Sequence, residues 1–369
     1  MTDSADSPAP AGGAPAGPPG RGTPPSPGRL TGLDAARAVA ILGMIAVNVG
    51  PRGEPGLAGS LYDLPVGRAS ILFVVLAGVG MSLLTRSARE PGGRLPWRTV
   101  LWRSALLLVG GLALQELGHE VSVILAVYGV LFLLSLPLLK APTTLVAALA
   151  GVMAVAGPVA WIGIQLATGT PFQFADPGLA DDPPHVLHRI FVSGPYPVLV
   201  WCAPFLLGLV LGRAPLRERR LQRRLVLWGL VATVGAYVLS QVVILVAGQP
   251  GDAIGWDRLR SAVGHSQMPL WLVSSVGGAL AVIGGFLWAG RLVERRLGML
   301  VSAGRLSLTI YVAHLVILAG LVRPEPHTLA GGYLITVLLS AVLLVLAHLW
   351  VRWRPVGPLE QLLRLPGRR

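Results

Sequence analysis

Three groups of polar side chains interrupt long apolar stretches of this chain, and their spacing suits proton transfer and anion binding. In 33–50, LDAARAVAILGMIAVNVG, Arg37 and Asn48 are 11 residues apart, which at ~100° per residue returns to within about 20° of one helix face. Asp34, three residues before Arg37, can pair with it at the helix boundary; Arg37 reads equally as an interfacial anchor that snorkels. Asn48 is an intramembrane amide that needs partners. A second group, Tyr62, Asp63, Arg68, Gln115, Glu116, His119 and Glu120, gathers at one end of the next helices. Glu116 is i, i+3 from His119, and a carboxylate beside an imidazole raises its basicity, as a general base requires. The same residues also read as ordinary interfacial polar groups. The third group is Ser307, Tyr311 and His314 in GRLSLTIYVAHLVIL, a polar stripe through an apolar helix. Such a stripe either hydrogen-bonds a neighbouring helix or lines a substrate path.

The elements that must position these groups are membrane helices. Ten apolar runs, 33–50, 68–84, 100–117, 121–139, 144–167, 194–212, 225–247, 270–289, 299–321 and 330–351, are each about the ~20 residues that a bilayer core demands. With the N-terminus inside, alternation puts 24 of the 30 basic residues in cytoplasmic segments and 10 of the 17 acidic ones outside, as the positive-inside rule requires. The expected fold is an all-α integral membrane bundle of about ten transmembrane helices with both termini cytoplasmic, in the plasma membrane of a bacterium. Ala36, Ala40, Gly43 and Val47 form a small-residue stripe that places the first helix inside the bundle.

Residues 1–28, with eight prolines and six glycines, read as a disordered cytoplasmic tail. Residues 29–355 form the helical domain and 356–369 a basic tail. Fifty-three per cent hydrophobic and 13% charged residues exclude an ordinary soluble domain. The net charge of +13 sits in short loops, so it reads as topology and attraction to membrane lipids rather than nucleic-acid binding. The lone Cys202 leaves no disulfide framework or cysteine metal site. His185, His188 and His327 lack ligand spacing and His348 reads as interfacial packing, so no metal is expected. No Walker, Rossmann or zincin motif occurs. Of two longer outer loops, 168–193 and 248–269, the second carries Trp256, Asp257, Arg258, Arg260 and His265; such loops either cover an outward-facing site or are plain solvent loops.

The opening RLTGLDAARAVAILGMIAVNV resembles the first transmembrane motif of the heparan-α-glucosaminide N-acetyltransferase-like membrane proteins. GRASILFVVLAGVGMSL, SVILAVYGVLFLL, SGPYPVLVWCAPFLLGLVLGR, GRLSLTIYVAHLVI and GPLE follow in the order of the bacterial branch. The resemblance implies acyl transfer from cytoplasmic acetyl-CoA to an acceptor on the far side of the membrane, with motif residues at Asp34, Arg37 and Asn48. The family's catalytic histidine lies in the loop after helix one. Here that loop reads GPRGEPGLAGSLYDLPVG, with no histidine, so either another group such as His119 or Asp63 serves as base or this member does not perform that reaction.

These readings combine into one expectation. Acetyl-CoA or another acyl-CoA is the donor, its phosphates held by arginines at helix ends such as Arg37, Arg103 and Arg305. His119 is the base, oriented by Glu116 or Asp63. Asn48 or Arg68 contacts the oxyanion or the acceptor, and Tyr311 and His314 line the substrate path. The acceptor is a hydroxyl or amine of a glycan, glycolipid or small metabolite. The alternative is a non-enzymatic transporter or flippase for an anionic or lipid-linked solute, which the same polar stripe would serve.

Overall fold

The computed structural model describes residues 28–172, 174–251, 253–324 and 328–365. The proline-rich tail up to residue 27, His327 and the last four residues of the basic tail lie outside them. Each of the ten apolar runs is helical: α1 (Thr31–Val49), α2 (Arg68–Leu84), α3 (Trp97–Gln115), α4 (Leu125–Ser135), α5 (Thr143–Thr168), α6 (Val198–Leu211), α7 (Arg219–Ala247), α8 (Pro269–Trp288), α9 (Ser307–Ile317) and α10 (Leu329–Trp353). Six are long and apolar enough to cross a membrane alone. Two more spans arise if α6 is joined to the bent segment Pro183–Ser193, and α9, with its extension to Val322, to Gly298–Arg305. α2 and α4 are shorter apolar helices. The chain is thus an all-helical membrane protein, with no strand among the described residues.

α1 is the hub, packing against α2, α8, α10 and the short helix Gly298–Arg305. Ala36 and Ala40 are fully buried, and at Gly304 a Cβ would lie 1.7 Å from the Asp34 carbonyl oxygen. α2 and α6 meet equally closely: a Cβ on Gly78 or on Gly208 would each lie 2.2 Å from a carbonyl oxygen of the opposite helix. Small residues let backbones approach where lipid supplies no hydrophobic drive. By contrast α7 is only 11% buried, so its apolar flank faces the surroundings.

Hydrogen bonds tie the arginine-bearing helix ends together at one end of the bundle. Arg219 at the start of α7 donates to the Trp288 carbonyl at the end of α8 (2.6 Å). Arg213 after α6 donates to the carbonyls of Ala141 and Leu138 (2.7 and 2.8 Å). Trp102 near the start of α3 donates to Leu362 in the C-terminal helix Pro358–Leu362 (2.7 Å). Arg305 donates to Pro355 after α10 (2.7 Å). The starts of odd helices and the ends of even helices therefore share one arginine-rich end.

Candidate functional site

Two cavities lie at opposite ends of α1. The arginine-side cavity, about 580 Å³, is lined by Arg29, Arg37, Arg103 and Arg364 at its mouth and runs along α2 from Leu84 to Phe73, about 16 Å at 1.5 Å per residue. Asp34, buried, accepts hydrogen bonds from Arg29 (2.5 and 2.9 Å) and Arg37 (2.9 Å). One carboxylate against four guanidiniums leaves the mouth strongly cationic. Tyr128 lines the deep end, and its hydroxyl is buried with no hydrogen-bond partner. An unsatisfied buried hydroxyl is costly unless something else bonds it.

The distal cavity, about 670 Å³, is lined by Asn48, Arg52, Ser122, Tyr196, His265 and Arg323 among others. A chain of contacts joins the two. Phe73 stacks on Tyr128 and Tyr311 (centroids 5.5 and 6.2 Å), Tyr311 meets His314 edge-on (5.1 Å), and His314 Nε2 lies 3.1 Å from Asn48 Nδ2. Phe73 belongs to one cavity and Asn48 to the other, so these four side chains run in series from one cavity to the other. Since the amide donates, His314 Nε2 accepts and its proton sits on Nδ1, which is buried without a partner. The Tyr311 hydroxyl accepts from the Ile124 N–H (3.3 Å), two residues beyond Ser122 of the distal cavity.

The structure thus brings Arg37 and Arg103 into one cavity and Asn48 into the other, with Tyr311 and His314 between them. It does not bring the remaining expected residues to the same place. His119 is fully buried, with Nε2 donating to the Leu114 carbonyl (2.9 Å) and Nδ1 accepting from the Val121 N–H (3.1 Å). Burial lowers its pKa, the bond to Leu114 opposes that, and Arg323 adds to it. With both nitrogens committed to backbone, the ring is a brace for the turn between α3 and α4. Glu116 does not orient it: its Oε1 accepts from the Leu179 N–H (2.8 Å) and anchors the loop after α5. Gln115 is the true neighbour of that turn, bonded to Val121 and Val123. Asp63 accepts from Gly53 (2.9 Å) and Arg68 donates to Leu64 (3.2 Å); both line a groove beside the distal cavity rather than the cavity itself. Arg305 is held by Pro355 and does not line the arginine-side cavity.

Four residues outside the expected set matter more. Arg29 and Arg364 complete the cationic mouth. Arg323 donates to the carbonyls of His119 (2.7 Å) and Asn48 (2.8 Å), locking the end of α1 to the α3–α4 turn. His265 comes from the longer loop between α7 and α8, where its backbone holds a positive φ of 58°, and it stacks among Tyr196, Trp201 and Trp271. Among the described residues no hydrogen bond engages its ring, and it lines the distal cavity. Burial, with the charge of Arg52 adding, pushes its pKa down to about 4, so the imidazole is neutral at physiological pH. Nearby Asp176 accepts from Ser122 (3.2 Å), and burial raises its carboxyl pKa against the pull of that bond and of Arg189. The composition of the 248–269 loop is the signal for His265; for Tyr128 it is a lone phenol in an otherwise apolar run.

Among the described residues no group of three or more His, Cys, Asp or Glu side chains is placed to hold a metal. Residues 212–366 match the model of a family described as a protein of unknown function, DUF418. That stretch begins at the end of α6 and carries α7 to α10 and the C-terminal helix. It supplies His265, His314, Arg323 and Arg364, whereas Arg37, Asn48, Phe73 and Tyr128 come from outside it. No curated protein matches the chain.

Proposed function

We propose that this chain is a ten-pass bacterial plasma-membrane acyltransferase, similar to the heparan-α-glucosaminide N-acetyltransferase-like proteins. It passes an acyl group from cytoplasmic acyl-CoA to an acceptor hydroxyl or amine on the outer side. The observation that carries this is the pair of cavities at opposite ends of α1, one with a cationic mouth and one lined by a neutral imidazole, bridged by the contacts of Phe73, Tyr311, His314 and Asn48.

The arginine-rich end is cytoplasmic under the positive-inside rule, which makes the arginine-side cavity the donor site. Arg29, Arg37, Arg103 and Arg364 meet the phosphates of CoA through charge-assisted hydrogen bonds. The thin pantetheine arm follows α2 toward Phe73, and an amide of the arm satisfies the Tyr128 hydroxyl. The thioester then meets the acceptor between the two cavities. His265 takes the proton as the acceptor oxygen or nitrogen attacks the thioester carbonyl. The Asn48 amide and the Tyr311 hydroxyl donate to the oxyanion, the C–S bond breaks, and CoA leaves as the thiolate, which receives the proton that the His265 imidazolium gives up. The ester or amide is released to the outside. Arg323 positions Asn48 by holding the carbonyl of that residue.

Calorimetry of the detergent-purified protein with acetyl-CoA, free CoA and AMP tests the reading. Saturable acetyl-CoA binding, much weaker AMP binding and a loss of about tenfold in Arg103→Gln are expected, the last matching the ~1.4 kcal/mol of one charge-assisted contact. Absence of binding across short-chain acyl-CoAs would sink the acyltransferase and favour a transporter or flippase for an anionic solute.

A further inference from the structure

A third cavity, about 790 Å³, lies against the distal one and opens sideways. It shares Arg52, Val66 and Gly264 with the distal cavity, so the two spaces adjoin at these residues. Its far wall is Thr233, Val234 and Tyr237 of α7, the helix with the least buried flank. α7 stays apolar to Ala247, and Leu245 and Val246 are more than 80% exposed, so hydrocarbon reaches at least that level. Val234 and Tyr237 lie 13 and 10 residues below Ala247, about 15–20 Å at 1.5 Å per residue. In a hydrocarbon core of ~30 Å the α7 wall therefore lies near the middle of the bilayer, and the groove runs from there toward the distal end, open to lipid rather than water.

Its chemistry is amphipathic. Leu64, Val234, Tyr237 and Val263 present apolar surface, each about half exposed or more. Arg52, shared with the distal cavity, and Arg68, near Tyr237 of α7, set two guanidiniums against the single carboxylate Asp63 along the groove. The Asp63 Oδ1 is buried without a hydrogen-bond partner, a vacancy for a hydroxyl donor. A phosphate between two arginines, hydroxyls beside a carboxylate and a chain along α7 describe one class of molecule.

We infer that the groove admits a phosphate-linked lipid bearing a sugar or polyol head group, which enters sideways from the outer leaflet and presents its hydroxyls to the distal cavity. This rests on the acyltransferase reading for its consequence, namely that the acceptor is such a lipid, while the binding itself does not depend on it.

The test is native mass spectrometry of protein exchanged into micelles with equimolar phosphatidylinositol, phosphatidylglycerol and phosphatidylcholine. Phosphatidylinositol is expected to be retained at least about fivefold over phosphatidylcholine and above phosphatidylglycerol. That preference should vanish in Arg68→Gln and in Val234→Trp, which fills the groove from a lipid-facing position, while acetyl-CoA affinity stays unchanged in both. No preference in the unaltered protein, or one that survives both substitutions and so arises at the arginine-rich end, overturns the proposal. If lipid retention behaves as expected but acetyl-CoA does not bind, the acyltransferase reading fails and the groove stands. If acetyl-CoA binds and the lipid preference is absent, the groove proposal fails alone.

Discussion

An imidazole works as a base only when one nitrogen is unbonded and reaches the substrate. His119 fails that condition, because Leu114 and Val121 hold both of its nitrogens, whereas His265 lines the distal cavity with its ring unbonded among the described residues. The two substitutions should therefore separate. His119→Ala removes two buried backbone partners and is expected to cost about 1–3 kcal/mol of stability, lowering the unfolding midpoint while folded enzyme keeps its turnover. His265→Ala is expected to abolish acyl transfer with acetyl-CoA affinity within about twofold of the parent, measured by the same calorimetry. The reverse pattern would return the base to His119. The pH dependence follows from the His265 shift. Its folded pKa of about 4 lies below the ~6.5 of an unfolded histidine, so between those values the unfolded chain binds the proton and the folded protein does not. The contribution of this group to stability is full above about pH 6.5 and falls as the pH drops toward 4, while the basic form persists down to about 4. Thermal unfolding of His265→Gln should lose that part of the acid slope. The raised Asp176 carboxyl has the opposite sign, and Asp176→Asn serves as the control.

At the scale of elements, the C-terminal helix Pro358–Leu362 borders the arginine-side cavity, the proposed donor site. Glu360 accepts hydrogen bonds from the Leu308 and Thr309 N–H groups (2.8 and 3.1 Å) and from the Thr309 hydroxyl (2.6 Å). These are the unsatisfied donors and the positive dipole end of α9. At Gly357 a Cβ would lie 2.0 Å from Glu360 Oε2, which gives the GPLE segment a physical reason. The cap holds Leu363 and Arg364 against the cavity, and Arg103 donates to the Leu363 carbonyl (3.2 Å). Glu360→Ala is expected to weaken acetyl-CoA binding about tenfold or less, since hydrogen bonds to a charged group are worth about 1.5–3 kcal/mol and part of that falls on stability. Unchanged affinity would make the helix a bystander. The same elements show what periodicity conveys. The 11-residue spacing of Arg37 and Asn48 places one residue on each cavity, because both lie on one face of one helix. Glu116 and His119 sit beyond the last turn of α3, where i, i+3 spacing no longer implies that side chains meet. Asn48 and His314 are 266 residues apart, a pairing that no local spacing encodes, and only the burial of α1 at the hub brings them together.

For the whole molecule, the direction of the chemistry depends on which end faces the cytoplasm. All ten apolar runs are legible because each is a continuous helix or a bent pair. The lateral groove was not legible, since it arises from the exposed flank of α7 lying beside Arg68 and a loop more than 20 residues away from either. Orientation rests on charge: alternation assigns 24 basic residues to segments of one side against 6 on the other, the kind of bias that sets topology when it lies near helix ends. The chain offers its own test, because Cys202 is the only cysteine and Cys202→Ser gives a background without thiols. Leu57→Cys would place a thiol on the helix Gly56–Tyr62 at the distal end, where the side chain is 78% exposed. Arg295→Cys would place one on the exposed helix Gly290–Arg296 at the arginine-rich end. A membrane-impermeant maleimide applied to intact cells is expected to label Leu57→Cys at once and Arg295→Cys only after permeabilisation. The opposite pattern would turn the cationic cavity toward the outside, where no acyl-CoA is supplied, and would remove the basis for acyl transfer whatever the detergent-solubilised protein binds.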